Sequence, residues 1–127
     1  MICDYLIIGG GSAGCVVAER LSASGASVLL LEAGPRDRSP LIHVPAGVIS
    51  LMGHPVLDWN IVSAEIPSIG GRRIRLPRGR VLGGTSSTNG MNFVRGLPED
   101  FDGWARAGCR GWSYEEVLPY FRSIESF

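Results

Sequence analysis

The segment "DYLIIGGGSAGCVVAERLSASGASVLLLE", residues 4–32, indicates the fold class. Two short apolar runs, residues 3–8 and 27–32, lie at its ends and are typical of buried strands. Between them, residues 12–24 have the pattern of a helix, and Gly25 is placed to end that helix in a left-handed conformation. Two parallel strands joined by a helix form a right-handed βαβ unit, so the sequence predicts the α/β class.

Three glycines at the junction of the first strand and the helix match a nucleotide-binding fingerprint. Gly9 can turn the chain tightly off the strand, Gly11 allows close approach of a pyrophosphate, and Gly14 lets the helix lie near the strand. The helix then begins at Ser12, where free N–H groups attract phosphate. Glu32, 21 residues after Gly11, can accept hydrogen bonds from ribose hydroxyls and would repel a 2′-phosphate. The pattern predicts a Rossmann-like site for an ADP-containing cofactor without separating NAD from FAD, and a glycine-rich turn of an unrelated protein is the alternative.

A second glycine-rich segment, "GRVLGGTSSTNGMNF", covers residues 79–93. Gly83 and Gly84 permit unusual backbone angles and a close approach to a ligand. Four polar side chains that could bind phosphate, ribitol or a flavin ring edge follow them: Thr85, Ser86, Ser87 and Asn89. We expect Met91 and Phe93 to return the chain to a packed environment. This segment favours a cofactor that extends well beyond ADP.

The middle of the chain, residues 35–78, is irregular and contains six prolines. Residues 59–66 alternate weakly and could form a strand, and "SIGGRRIRL", residues 68–76, indicates a hairpin. Five arginines form a local basic run at the end of this region and the start of the second glycine-rich segment: Arg72, Arg73, Arg75, Arg78 and Arg80. We interpret the run as a solvated hairpin, with an arginine near a cofactor phosphate as the alternative. Trp59 is predicted to be a packing residue that could also approach the cofactor.

Two helices are predicted in the C-terminal quarter. The first covers residues 97–108, and the second begins near Ser113. Ser113 and Glu116 have capping-box spacing, and Pro119 is expected to kink or limit the second helix. On the first helix of the chain, the candidates for the inner face are Cys15, Val16, Ala18 and Leu21.

The composition excludes several function classes. Twelve acidic and twelve basic side chains give no net charge, so no overall field favours nucleic acid. Cys3, Cys15 and Cys109 form no C-x-x-C pair, and the chain opens without a signal peptide. This favours reduced thiols in the cytoplasm, with any membrane attachment being peripheral.

At these motifs the sequence resembles the glucose–methanol–choline (GMC) family of FAD-dependent oxidoreductases. Residues 4–35 are similar to the family's N-terminal FAD fingerprint. Residues 76–105, "LPRGRVLGGTSSTNGMNFVRGLPEDFDGWA", are similar to its first signature, and residues 108–121 to the segment that follows. Within the family the bacterial choline and alcohol dehydrogenases look most similar.

The resemblance implies FAD as the cofactor. Its expected binding residues are Gly9, Gly11, Ser12, Gly14, Glu32, Ala33, Arg80, Gly83, Gly84, Thr85, Asn89, Gly90 and Met91. Thr88 stands where some members place a histidine bonded covalently to FAD. Because threonine cannot make that bond, we expect non-covalent FAD.

The resemblance also implies the reaction: oxidation of an alcohol CH–OH donor by hydride transfer to flavin, with a quinone, another carrier or oxygen as electron acceptor. The family's histidine base lies far downstream in longer chains. His43 and His54 fit no catalytic motif, so we name no catalytic and no metal-binding residue.

We interpret residues 1–127 as the N-terminal portion of an FAD-binding domain, without the substrate domain and catalytic segment. It would be incomplete as a fold, since two parallel strands leave both sheet faces uncovered, and inactive by itself. The alternatives are an NAD-dependent dehydrogenase, which leaves residues 79–93 without a purpose, and a non-catalytic nucleotide-binding module.

Overall fold

The computed structural model describes residues 2–125. The chain divides into two compact units, Met1–Asn92 and Phe93–Phe127. The strands are β1 Tyr5–Ile8, β2 Val28–Leu31, β3 Ile61–Val62 and β4 Arg75–Leu76, and the helices are α1 Ser12–Ala23, α2 Pro40–His43, α3 Val48–Leu51, α4 Pro98–Arg106 and α5 Tyr114–Ser123.

The predicted βαβ unit is present in the first unit. Strands β1 and β2 pair in parallel, with Tyr5 opposite Val28 and Ile8 opposite Leu31. The helix between them ends before Gly25, which has φ +90°, as the sequence predicted. The α/β class is therefore confirmed.

The surface of this βαβ unit differs from the prediction. No residue of α1 is buried, and Cys15 and Val16, which were predicted to face inward, are exposed. In the sheet, Leu6 is 54% and Ile8 is 83% exposed. The physical reason is that a sheet of two strands is too narrow to cover the helix that crosses it.

The predicted hairpin is also present. Strand β3 pairs antiparallel with β4, and an isolated bridge joins Ile66 to Arg72 nearer the tip. Gly70 and Gly71 turn the chain with φ of +74° and +73°. The regular ladder is shorter than predicted, because within residues 59–66 only Ile61–Val62 form a strand.

The hydrophobic core of the first unit lies beneath the second glycine-rich segment. It consists of Leu51, Leu57 and Val81, with Ile42 packed against it. Val81 is completely inaccessible to solvent. The core therefore holds in place the backbone that leads into Gly83 and Gly84.

The second unit is a pair of helices around an aromatic cluster. Phe101 of α4 is buried, and its ring makes edge contacts with Trp104 at 5.2 Å and Phe121 at 5.6 Å between centroids. Trp112 contacts Trp104 at 5.8 Å, although both indoles are about half exposed. These contacts join α4 to α5.

The start of α5 has the predicted cap. The Glu116 carboxylate accepts hydrogen bonds from the Ser113 N–H at 3.0 Å and the Ser113 hydroxyl at 2.6 Å. The Tyr114 N–H donates to the Asp102 carboxylate at 3.0 Å. The helix continues to Ser123, so Pro119 does not end it.

Candidate nucleotide-binding site

The two glycine-rich segments are in direct contact. The Gly83 N–H donates a hydrogen bond of 2.6 Å to the Gly10 carbonyl oxygen. Gly84 has φ +57°, and a Cβ built on it would lie 3.0 Å from the Cα of Gly11. Glycine is needed at position 84 for both reasons. The backbone itself therefore brings the two segments together.

Both segments line one cleft with a volume of about 1050 Å³. The predicted residues that line it are Gly9, Gly11, Ser12, Gly14, Glu32, Ala33, Gly84 and Thr85. The sequence prediction missed Ile8, Ala13, Leu31, Ile61 and Gly79 as lining residues, and Arg78, from the run of arginines, also lines the cleft. Ala13 and Gly79 lie inside the two glycine-rich segments, which was the available signal. The three others had no signal, because apolar strand residues look like ordinary core.

Glu32 connects two backbone loops at this cleft. One carboxylate oxygen accepts the Gly10 N–H at 2.7 Å, and the other accepts the Gly34 N–H at 2.8 Å. A carboxylate oxygen accepts more than one hydrogen bond, so both oxygens retain capacity for a ribose hydroxyl. Glu32 therefore holds the glycine loop in shape and can still contact a nucleotide.

The first glycine loop is closely packed against α1. Gly9 has φ +100°, and a Cβ on Gly14 would overlap the Gly9 carbonyl oxygen. The first N–H groups of α1 have no acceptor within the helix, and Ser12, Ala13 and Gly14 face the cleft. A helix N-terminus in this position attracts an anionic phosphate.

The hydroxyls of the second segment act differently from the prediction. The Ser86 hydroxyl donates to the Gly83 carbonyl at 2.5 Å, and the Ser87 hydroxyl donates to the Leu82 carbonyl at 2.9 Å. These hydrogen bonds stabilise the 3₁₀ turn Gly84–Ser87, since serine side chains readily bond to backbone groups near them in the chain. Thr85 does line the cleft, and its hydroxyl oxygen accepts the Gly79 N–H at 3.2 Å.

The end of the second segment lies at a different pocket. Asn89 and Met91 line a cavity of about 190 Å³ together with His43, whereas Gly83 and Gly90 line neither cavity. The Asn89 side-chain oxygen accepts the Met91 N–H at 2.8 Å, and Met91 has φ +58°. Met91 is 54% and Phe93 is 71% exposed, so the expectation of a packed environment at these positions is wrong. Residues 90–93 form no helix or strand that could bury them.

Asp58 is a buried carboxylate beneath the cleft wall. It is 4% exposed and accepts backbone N–H groups from Gly53 at 2.7 Å, Asn60 at 3.0 Å and Arg78 at 3.0 Å. Burial raises the pKa of Asp58, but these three hydrogen bonds and the Arg75 charge together outweigh it and hold the pKa below its usual value. Asp58 thus connects the backbone at Gly53 and Asn60 to the backbone at Arg78.

Trp59 follows Asp58 and lines the cleft. Its N–H donates to the Arg78 carbonyl at 2.9 Å. The Arg80 guanidinium carbon lies 5.3 Å from the centre of the indole ring, within the range of a cation–π contact. Arg80 itself does not line the cleft, although the sequence predicted that it binds the cofactor.

A family model described as GMC oxidoreductase matches residues 3–126. The chain belongs to the GMC oxidoreductase family. The match covers nearly the whole chain, including both glycine-rich segments, and confirms the resemblance found in the sequence. The family is FAD-dependent, and a similar solved structure is described as an FAD-dependent oxidoreductase from Chaetomium thermophilum.

Several GMC relatives resemble this chain along most of its length. An oxygen-dependent choline dehydrogenase of Brucella suis biovar 1 is 50% identical over 127 residues, which are 99% of this chain and 23% of that protein. A pyridoxine 4-oxidase from Mesorbium loti is 42% identical with a TM-score of 0.88, covering 97% of this chain and 24% of that one. A formate oxidase of Aspergillus oryzae RIB40 is 32% identical with a TM-score of 0.82, covering 93% and 21%. The chain therefore spans less than a quarter of each relative's length.

The histidines of this GMC chain have structural partners. The His54 Nδ1 accepts the N–H groups of Val56 at 3.2 Å and Leu57 at 3.1 Å, and the His43 Nε2 lies 2.6 Å from the Asp37 carbonyl oxygen. Within residues 2–125, no group of three acidic, histidine or cysteine side chains could hold a metal ion. In the same part of the chain, no helix has the length and apolar character needed to cross a bilayer.

Proposed function

We propose that this chain is the N-terminal, FAD-binding portion of an oxidoreductase that oxidises an alcohol CH–OH group. The observation that carries the proposal is the Gly83–Gly10 hydrogen bond, which brings both glycine-rich segments to one cleft. Family membership supports FAD as the cofactor. The alcohol class is supported by two relatives named for choline and pyridoxine, both of which carry a primary alcohol.

The cleft residues fit the ADP half of FAD. The N–H groups at the start of α1, beginning with Ser12, would hold the pyrophosphate, and Glu32 would accept the ribose hydroxyls. Because Gly11 and Gly84 have no Cβ, the cofactor could approach their backbone closely. When bound, FAD supplies a flavin ring that accepts a hydride from the alcohol carbon.

In this proposal the residues of this chain bind FAD and orient it. None of the described histidines or carboxylates is assigned a proton-transfer role, because His54 and Asp58 are engaged with backbone groups. The catalytic base and the substrate pocket would belong to a substrate domain and C-terminal segment outside residues 1–127. The electron acceptor would be a quinone, another carrier or oxygen, and the protein would act in the cytoplasm.

We further propose that FAD is held without a covalent bond. Thr88 carries a hydroxyl at the position where a histidine would be needed for the covalent link. Its N–H donates to the Thr85 carbonyl at 3.1 Å, so it closes the 3₁₀ turn of the second segment. A structural role in that turn is sufficient for Thr88.

The experiment uses protein expressed from the complete reading frame. It should purify yellow, and acid precipitation should release intact FAD into the supernatant. Choline, pyridoxine and simple primary alcohols should be tested for anaerobic bleaching of the flavin. A colourless protein that binds NAD would contradict the FAD assignment. A yellow precipitate with a colourless supernatant would contradict non-covalent binding alone.

A further inference from the structure

Arg80 has an unusual environment for an arginine. Its Nε is buried and has no hydrogen-bond partner among the described residues. A buried N–H without an acceptor destabilises a fold, so such a group calls for a specific explanation. The face of the Trp59 indole, 5.3 Å from the guanidinium carbon, is the aromatic partner that the structure provides.

The backbone of Arg80 is held from two sides. Its N–H donates to the Leu57 carbonyl at 2.8 Å. On the other side Gly34 lies so close that a Cβ there would overlap the Arg80 carbonyl group. The guanidinium therefore extends from a fixed point and is not on a mobile surface loop.

Trp59 connects this arginine to the cleft. The indole lines the cleft together with Gly9 and Glu32, and Arg80 does not. Trp59 is 50% exposed, so part of its surface remains free to contact a ligand. Its backbone N–H donates to the Arg78 carbonyl, and the neighbouring Asp58 carboxylate accepts the Arg78 N–H. These bonds leave the Trp59 side-chain torsions unrestrained.

We propose that Arg80 is a positioning residue that acts on the bound nucleotide through Trp59. The guanidinium covers one part of the indole and holds the ring at the cleft wall, where Trp59 contacts the cofactor. Arg80 makes no contact of its own with the cofactor phosphates. This inference rests on the proposed function, since it needs FAD in this cleft.

Direct phosphate binding by Arg80 is the competing explanation, and a double-mutant cycle separates the two. Removal of Trp59 should abolish the effect of Arg80 if the arginine acts only through the indole. If the arginine binds phosphate itself, the two effects should multiply.

The experiment measures the Kd of FAD by titrating apoprotein prepared from the full-length protein. The variants are Arg80→Met, Arg80→Lys, Trp59→Leu and the Trp59→Leu/Arg80→Met double variant. Trp59→Phe and the Trp59→Phe/Arg80→Met double variant are the milder changes in case Trp59→Leu fails to fold. Arg73→Met is the matched control, because Arg73 belongs to the same run of arginines and pairs with Glu65 at 3.8 Å on the surface. Melting of each apoprotein reports folding separately from binding.

Arg80→Met and Trp59→Leu should each raise the Kd by about threefold to tenfold. Arg80→Lys should recover part of the loss, and Arg73→Met should change nothing. In the Trp59→Leu or Trp59→Phe background, Arg80→Met should have a clearly smaller effect than in the wild type. Multiplicative effects would overturn the proposal in favour of direct contact, and a lower melting temperature with unchanged Kd would reduce Arg80 to a structural role. Wild-type apoprotein that takes up no FAD would overturn the proposed function itself.

Discussion

Gly34 lies against the carbonyl group of Arg80, and a Cβ on Gly34 would overlap it. The neighbouring Pro35 carbonyl accepts the Leu82 N–H at 2.9 Å. The exit of β2 is therefore packed directly on the backbone that leads into the second glycine-rich segment. The shape of the cleft therefore depends on Gly34, a residue that has no side chain to contact a ligand.

Gly34→Ala should destabilise the protein by about 1–3 kcal/mol, the range for an overpacked interior site. Gly103→Ala is the control, because a Cβ there would meet only the Arg106 side chain at 3.8 Å inside helix α4. That change should be neutral or slightly stabilising. The free energy of unfolding in urea checks both variants, and equal stability of the two would refute the packing argument.

Gly84→Ala should weaken FAD binding at least tenfold, because the new Cβ would meet the Cα of Gly11 at 3.0 Å. Gly70→Ala is matched in backbone strain, with φ +74° against +57° at Gly84, but it has open space around it. Both variants should lose about 1–2 kcal/mol of stability from the left-handed conformation. Only Gly84→Ala should raise the Kd of FAD, and a similar Kd for both would argue against the close approach.

Glu32→Gln should also weaken FAD binding. The amide keeps one acceptor oxygen, so either the Gly10 N–H or the Gly34 N–H loses its partner. Loss of a hydrogen bond to a charged group costs about 1.5–3 kcal/mol. If this whole cost falls on the FAD complex, the Kd of FAD should rise roughly tenfold to a hundredfold. Glu65→Gln, on the exposed hairpin, serves as the control and should bind FAD normally.

Asp58→Asn should change the acid stability of the protein. The pKa of Asp58 is below its ordinary value of 3.8 in the folded state, so its stabilising contribution is present above that value and is lost as the pH falls below it. At neutral pH the variant should be about 1–3 kcal/mol less stable, because the buried amide accepts fewer of the three N–H groups.

As the pH falls from about 4 through 3 and below, the wild type should therefore lose more stability than Asp58→Asn does. Asp4, Glu116 and Glu125 also have lowered pKa values through hydrogen bonds, and they contribute equally to both proteins. Urea unfolding at several pH values provides the comparison. Parallel stability curves for the two proteins would contradict the assignment to Asp58.

The local elements were readable from the sequence for physical reasons. Strand β1, helix α1 and strand β2 follow from apolar runs and from Gly25, each of which acts within a few residues. The hairpin tip was predictable because Gly70 and Gly71 both adopt positive φ. Family membership followed from two glycine motifs in the correct order, and the family match confirms it.

The long-range contacts could not be predicted in this way. Asp58 reads as an ordinary surface acid, and its burial depends on N–H groups supplied by Gly53 and Arg78. Arg80 lies in the family signature, but nothing in the sequence indicates that its side chain packs on Trp59. In both cases the decisive partner is set by tertiary packing.

The Gly10–Gly83 hydrogen bond closes a chain loop of about seventy residues, and the exposed tip at Gly70–Gly71 lies within that loop. Loop-closure entropy grows only with the logarithm of length. The shortest loop that holds the tip is closed by the Ile66–Arg72 bridge, and lengthening it by ten residues would cost the hairpin about 0.9 kcal/mol. A ten-residue glycine–serine insertion between Gly70 and Gly71 should therefore leave the Kd of FAD within twofold, as measured by apoprotein titration. A larger loss would mean that the tip takes part in binding. The hairpin is thus a permissive insertion point, at which a reporter or affinity tag could be added without disturbing the nucleotide cleft.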